Sequence, residues 1–361
     1  MHHVQEGTDS MNRKLRLATL VAGALAGLAL AGSALAAYTP TIAVTHTVAT
    51  GGAHPATIHA KVAQSDDPTA QVQIFAPTGY TIATEAPNTT LGKASGTVFA
   101  RDTGLTLPLE GTVVAADPAQ YTGPPSNVCS PGTHFAVWLL NLSVAGQTIA
   151  LPIYVDPTTG PQTALGAYKL VSCFAAPDTP VGSPNHTPFG AQLLDATFTI
   201  DSAISLPASA GTYVWRALFT PYTPGTGVPN AAGTREARSF VGLPGTISIR
   251  ATVKKNRQYT VSGVAKAGPT PAAGAIVTLY RGATAKVVKA STKTTSATGA
   301  YSFSGKLAKK KTTYFQTRIS VAESDNSAGC TDASVPAGPV PCVSATFGGW
   351  AAASSTIRIR T

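Results

Sequence analysis

The sequence predicts an all-β protein, two antiparallel β-sandwich domains following a cleaved signal peptide. Three observations carry that prediction. Apolar and polar residues alternate over short runs, as in Ile58-His59-Ala60-Lys61-Val62 and Gln71-Val72-Gln73-Ile74, the period of a half-buried strand. Turn chemistry separates the runs, as at Asp66-Asp67-Pro68 and Pro77-Thr78-Gly79, where Pro presets φ and Gly accepts φ > 0. The composition, with 34 Gly, 27 Pro, 2 Met and only 12% charged residues, disfavours long helices, and no helical periodicity occurs beyond the leader.

Residues 1–36 read as a leader. Met11 is the better start: Arg13, Lys14 and Arg16 form a positive n-region, an uncharged run extends from Leu17 to Ala37, and Ala34-Leu35-Ala36 has the small-x-small form of a signal-peptidase site. The run is long enough to span a bilayer, but its Ala and Gly content and the cleavage site favour removal. No Cys follows it to carry a lipid, and no later apolar run matches its length. The mature chain is therefore expected to be a secreted, extracellular or surface-associated monomer without a membrane span.

The first domain is assigned to 37–243. Ile42, Val44 and Val48 share one side of a strand, and Ile58, Ala60 and Val62 share another. Leu105, Leu107 and Leu109 face in, with Pro108 marking an edge. Phe135 to Leu140 is a continuous apolar run, expected to be buried on both faces. Ile149 to Val155, Tyr168 to Phe174, Leu193 to Ile200, Tyr213 to Thr220 and Arg238 to Val241 follow as strands. Three long Pro/Gly-rich loops punctuate them, Pro118 to Pro131, Ala175 to Gly190 and Pro221 to Gly233.

The second domain, 244–361, starts at the Leu243-Pro244-Gly245 joint. Ile247, Ile249, Ala251 and Val253 alternate with Ser248, Arg250, Thr252 and Lys254. Phe315, Ile319 and Val321 face in with Arg318 out, and Ile357 and Ile359 alternate with Arg358 and Arg360. The segment Ser324 to Pro341 is a stapled loop.

Four cysteines in an exported chain imply two disulfides, for which sequence alone allows three connectivities. Cys129 with Cys173 and Cys330 with Cys342 are expected, because each pair then stays within one domain. Loops of these lengths stabilise by about 3–4 kcal/mol each on the chain-entropy account.

Charge divides the chain more sharply than its net value of +10 indicates. Up to Val241 the mature chain is mildly acidic. After the joint only Glu323, Asp325 and Asp332 oppose sixteen Lys and Arg residues, an asymmetry that speaks of partners rather than fold.

Between Tyr259 and Phe303 the chain carries Val261, Gly263 and Val264, a Pro271-Ala272-Ala273-Gly274 turn before Val277 and Leu279, then Gly299-Ala300-Tyr301-Ser302-Phe303, with Tyr314 beyond. This third of the chain resembles the carboxypeptidase-regulatory-like domains, the transthyretin-like (Ig-like) β-sandwiches of secreted and surface proteins. The resemblance implies a spacer, a stability module or a binding surface, and it assigns no chemistry. The N-terminal domain resembles no family by its residues.

Catalytic and metal patterns are sparse. No Gly-x-Ser-x-Gly occurs, the mature histidines are scattered, and neither His-x-x-x-His nor Cys-x-x-Cys is present, so no catalytic residue, metal or cofactor is assigned. Asp66-Asp67 and Asp195/Asp201 are the nearest approach to paired glycosidase carboxylates, though such residues commonly form turns. Tyr213, Trp215 and Phe219 share a strand face that reads as core; if exposed, Trp215, together with Tyr222 beside its loop, would stack on sugar rings.

The basic clusters Lys254, Lys255 and Arg257, and Lys306, Lys309, Lys310 and Lys311, fall at strand ends and are expected to meet at one pole. There they would attract an anionic envelope polymer or polysaccharide. Few aromatics interleave with them, which argues against sequence-specific nucleic-acid binding. The expected function is that of an exported, non-catalytic binding or structural protein. The alternative is a polysaccharide-acting enzyme with its site in the three long loops.

Overall fold

The computed structural model describes residues 38–47, 52–144, 146–183 and 186–360. The expected leader and its expected cleavage site lie outside the described residues. Among the described residues the protein is all-β, with four short 3-10 turns and no α-helix. No helix among them is long and apolar enough to cross a membrane.

Eleven long strands build the first core: β1 (Thr41–Thr47), β2 (Ala56–Lys61), β3 (Thr69–Ala76), β4 (Thr90–Ala100), β5 (Leu105–Ala116), β6 (Ala136–Val144), β7 (Gln147–Pro157), β8 (Tyr168–Cys173), β9 (Ala191–Ile200), β10 (Gly211–Thr223) and β11 (Arg235–Leu243). They pair antiparallel in the order β1-β2-β9-β4-β5-β6-β7-β8-β3-β10-β11. Alternation works as expected in β2, where Ala56, Ile58 and Ala60 are buried between less buried neighbours. Pro108 lies in the part of β5 that pairs β4 alone, so its missing N–H breaks no ladder. Leu105, expected inside, is 58% exposed because that free end of β5 overhangs the core.

Strand β6 is buried on both faces, as its unbroken apolar run implies. Trp138 and Leu140 enter the main core. Val137 points the other way, against Tyr154, Val171 and Tyr121, beneath the loop that the Cys129–Cys173 disulfide ties to β8. Phe135, at the start of the same run, stays 38% exposed.

The second core takes its residues from β12 (Gly245–Ile247), β13 (Arg250–Val253), β14 (Gln258–Ala267), β15 (Ile276–Gly282), β16 (Val288–Thr294), β17 (Ala300–Lys306), β18 (Thr312–Val321), β19 (Cys342–Phe347), β20 (Trp350–Ala353) and β21 (Ile357–Arg360), or packs beside them. One group pairs β12 and β13 with β14, and β14 with β17. The other runs β16-β15-β18, with β20 and β21 sharing the far edge of β18. Tyr259, Val261, Tyr301 and Phe303 from the first group meet Val277, Leu279, Phe315 and Ile319 from the second.

The late strands also return to the first core. β19 pairs parallel with β11, and β20 meets β1 in parallel, with His46 opposite Trp350. Side chains secure this seam: Thr346 Oγ1 donates to the Ile42 carbonyl at 2.6 Å, Ser344 Oγ to that of Pro40, and Val44 N to Ser239 Oγ at 2.8 Å. Residues 342–350, placed by the sequence in the second domain, thus complete the join between the ends of the first strand run. The Cys330–Cys342 disulfide closes the loop leading into β19.

The joint at Leu243-Pro244-Gly245 is packed. Leu243 is fully buried, the Pro244 carbonyl accepts from Gly268 N at 2.9 Å, and a Cβ on Gly245 would overlap the Trp350 ring. His59 on β2 adds a polar bridge, its Nε2 2.7 Å from Asp195 on β9 and its Nδ1 2.8 Å from Glu323 just beyond β18.

Candidate functional site

The two basic clusters do meet. Lys254 to Arg257 turn the chain from β13 into β14, closed by Arg257 N donating to the Lys254 carbonyl at 2.8 Å, with Arg257 itself at φ 65°. Gln258 at the start of β14 pairs with Lys306 at the end of β17. Leu307 N donates to the Arg257 carbonyl at 3.0 Å, and Arg257 Nη1 donates to the Leu307 carbonyl at 3.3 Å. Buried Leu307 therefore pins the following turn, which carries Lys309, Lys310 and Lys311, beside the first. All of these lysines are exposed and Arg257 is half-buried. Their mutual repulsion is screened by solvent, so the cluster costs the fold little while summing to a local positive field.

A second cationic surface was not singled out by the sequence reading. Tyr314, Gln316, Arg318 and Ser320 are the outward residues of β18. Arg358 lies opposite Tyr314, Thr278 opposite Arg318, and Lys289 of the fully exposed edge strand β16 lies opposite Tyr280. The alternation that assigned Phe315 and Ile319 inward was the available signal. Their intervening residues had to share the opposite face, but which strands flank them could not be read locally.

The carbohydrate-stacking expectation for Trp215 and Tyr222 is overturned by burial. Trp215 is fully buried, with the Tyr80 ring set edge-on 5.0 Å away. Tyr222 is buried too, and its hydroxyl donates to the Phe174 carbonyl. Burial, with Asp178 adding to it, raises the Tyr222 phenol pKa. Neither ring offers a face to a ligand, because both strand faces of β10 are covered.

The long loops hold their histidines by carboxylates. His134 Nδ1 lies 2.9 Å from Asp156 Oδ2, and its Nε2 lies 2.7 Å from the Ser130 carbonyl. His186 Nε2 lies 3.0 Å from Asp102 Oδ2, and its Nδ1 3.4 Å from Thr179 Oγ1. Of the acidic pairs, Asp66 is buried and accepts from Thr39 N at 3.1 Å, and Asp195 is engaged by His59. Burial, together with Asp178 and Asp66, raises the Asp67 pKa against the pull of Arg101. Among the described residues no group of three or more His, Cys, Asp and Glu side chains is placed to hold a metal. No protein-family model matches this chain, and no curated protein matches it either.

Proposed function

We propose that this is an exported, non-catalytic binding or structural protein of two β-sandwich domains, the second carboxypeptidase-regulatory-like. Its basic half would attach it to an anionic envelope polymer or polysaccharide. The observation that carries this reading is the convergence of the turns at 254–257 and 306–311 on one end of the second core, which brings Lys254, Lys255, Arg257, Lys306, Lys309, Lys310 and Lys311 together. The two disulfides suit an oxidising compartment, in line with export.

The test uses the full chain on immobilised polygalacturonate and on a glycerol-phosphate polymer, with neutral dextran as control, across about 50 to 200 mM salt. Binding should weaken steeply with salt on both polyanions and be absent on dextran. At about 1 kcal/mol per lysine near an anionic surface, the variant K309A/K310A/K311A should bind on the order of a hundredfold more weakly at low salt. Equal binding by the variant would remove the attachment role of this pole.

A second reading, a polysaccharide-acting enzyme, draws on the hydroxyl–imidazole–carboxylate order of Thr179, His186 and Asp102 at the 175–190 loop. Such an order can activate a hydroxyl for acyl transfer, here removal of ester substituents. Release of acetate from an acetylated polysaccharide, lost in His186→Ala, would favour it. No release by the native chain would dispose of it.

A further inference from the structure

Arg318 is held in place more firmly than an exposed strand arginine needs to be. Its guanidinium stacks over the Tyr280 ring, 4.3 Å from the centroid. Its Nε donates to Gln316 Oε1 at 2.9 Å, and Gln316 Nε2 donates in turn to the Ser354 carbonyl at 3.2 Å. Stacking fixes the plane and the glutamine fixes its rotation. The Nη edge is left without a partner among the described residues, so a fork of N–H donors is oriented in advance.

That fork borders a shallow groove of about 570 Å³. Thr278 on one side and Ser320 further along β18 supply hydroxyls. Ala351 and Ala353 on β20 supply the depth, since a side chain of one carbon leaves room where a longer one would fill it. Lys289 and Arg358 flank the same face, and no carboxylate occupies any of these positions.

We propose that this groove is a binding subsite for a uronate residue of an acidic polysaccharide. A guanidinium edge receives a planar carboxylate through two parallel N–H···O bonds, the pairing that lysine cannot make. The hydroxyls of Thr278 and Ser320 match ring hydroxyls, and the alanine floor matches the C–H face of a sugar. The groove therefore fits a ligand with one carboxylate, several hydroxyls and an apolar face. This inference rests on the anionic-polymer reading above and narrows it from charge to a chemical class.

The test titrates the full chain with trigalacturonate, with the same trisaccharide reduced at its carboxyls, and with tripolyphosphate. Arg318→Lys, which keeps the charge, should weaken trigalacturonate binding about tenfold and leave tripolyphosphate within twofold. Ala353→Phe, which fills the groove without altering charge, should reproduce the loss, and the reduced trisaccharide should bind neither form. Wild-type trigalacturonate affinity in Arg318→Lys overturns the subsite, as does an equal loss for tripolyphosphate, which would make the Arg318 fork a clamp for any oxyanion rather than a uronate subsite. The lysine-pole variant K309A/K310A/K311A separates the two readings. If it loses polymer binding while Arg318→Lys is silent, only the subsite falls; if neither change matters, the attachment itself falls.

Discussion

Glu236→Ala is expected to destabilise the protein by about 3–5 kcal/mol, the largest effect of any single charge removal in the described chain. Glu236 is fully buried on β11, and Arg216 on β10 and Arg238 on β11 are buried with it. Its Oε1 accepts from Arg216 Nη1 at 3.0 Å and from Arg238 Nε at 2.8 Å. Burial lowers the Arg216 pKa, Glu236 pulls it back up, and Arg238 pushes it down again. Without the carboxylate, two buried cations would face each other unpaired.

The same two arginines hold the disulfide-closed loop on the first core. Arg216 donates to the Pro336 carbonyl, and Arg238 Nη1 to that of Gly329 at 3.2 Å. Gly338 lies so close to Glu236 that a Cβ there would overlap its carboxylate. Glu236→Ala should therefore also speed proteolysis within residues 326–341. Replacing Arg216, Glu236 and Arg238 together by Met, Leu and Met should recover most of the stability, since removing the whole ionic set abolishes the unpaired charges. Urea unfolding measures both variants, and a loss below about 1 kcal/mol for Glu236→Ala would show that water reaches the triad.

Stability should fall as pH drops from about 6.5 towards 4, with one histidine responsible for a defined share. His46 is buried in the first core, its Nε2 3.0 Å from the Tyr80 hydroxyl and its Nδ1 without a partner among the described residues. Burial lowers its pKa from 6.5 to about 4, outweighing the nearby Pro55 carbonyl, with His54 adding to the fall. Between those values the unfolded chain takes up a proton that the folded chain refuses. The contribution is thus complete above pH 6.5 and declines by about 1.4 kcal/mol per unit of acidification below it, a total loss of roughly 3 kcal/mol by pH 4.

Carboxylates also respond to acid, so the informative quantity is the difference between the native chain and His46→Gln. That difference, from urea unfolding at pH 7, 5.5 and 4, should shift in favour of the variant as pH falls. A constant difference would mean that His46 is protonated inside the fold or hydrated there.

What the sequence determined by itself was local. Its two-residue period separated inside from outside in β2 and β18, its unbroken apolar run marked β6 as buried on both faces, its Pro and Gly placed the turns, and keeping each cysteine pair within one half of the chain identified both disulfides. Joining the 254–257 and 306–311 clusters was within reach for the same reason, since both sit at ends of strands close in sequence. A strand's period states which residues share a face, but not which strand lies alongside.

Only the tertiary structure decided the rest. Thr346 meets Ile42 across 304 positions, and β19 lies parallel to β11, an arrangement that no turn between them could announce. Trp215 is core, as its strand face implied, and Tyr222, the candidate for exposure beside its loop, is buried with it. Arg216, Glu236 and Arg238 are buried where the 326–341 loop folds over them, a contact between segments about a hundred residues apart. Arg318 acquired an oriented guanidinium and a groove only because β15 and β20 bring Tyr280, Ala351 and Ala353 to its sides. Pairing partners are selected by the summed packing of both faces, a quantity that belongs to the assembled sheets and not to any one stretch of chain.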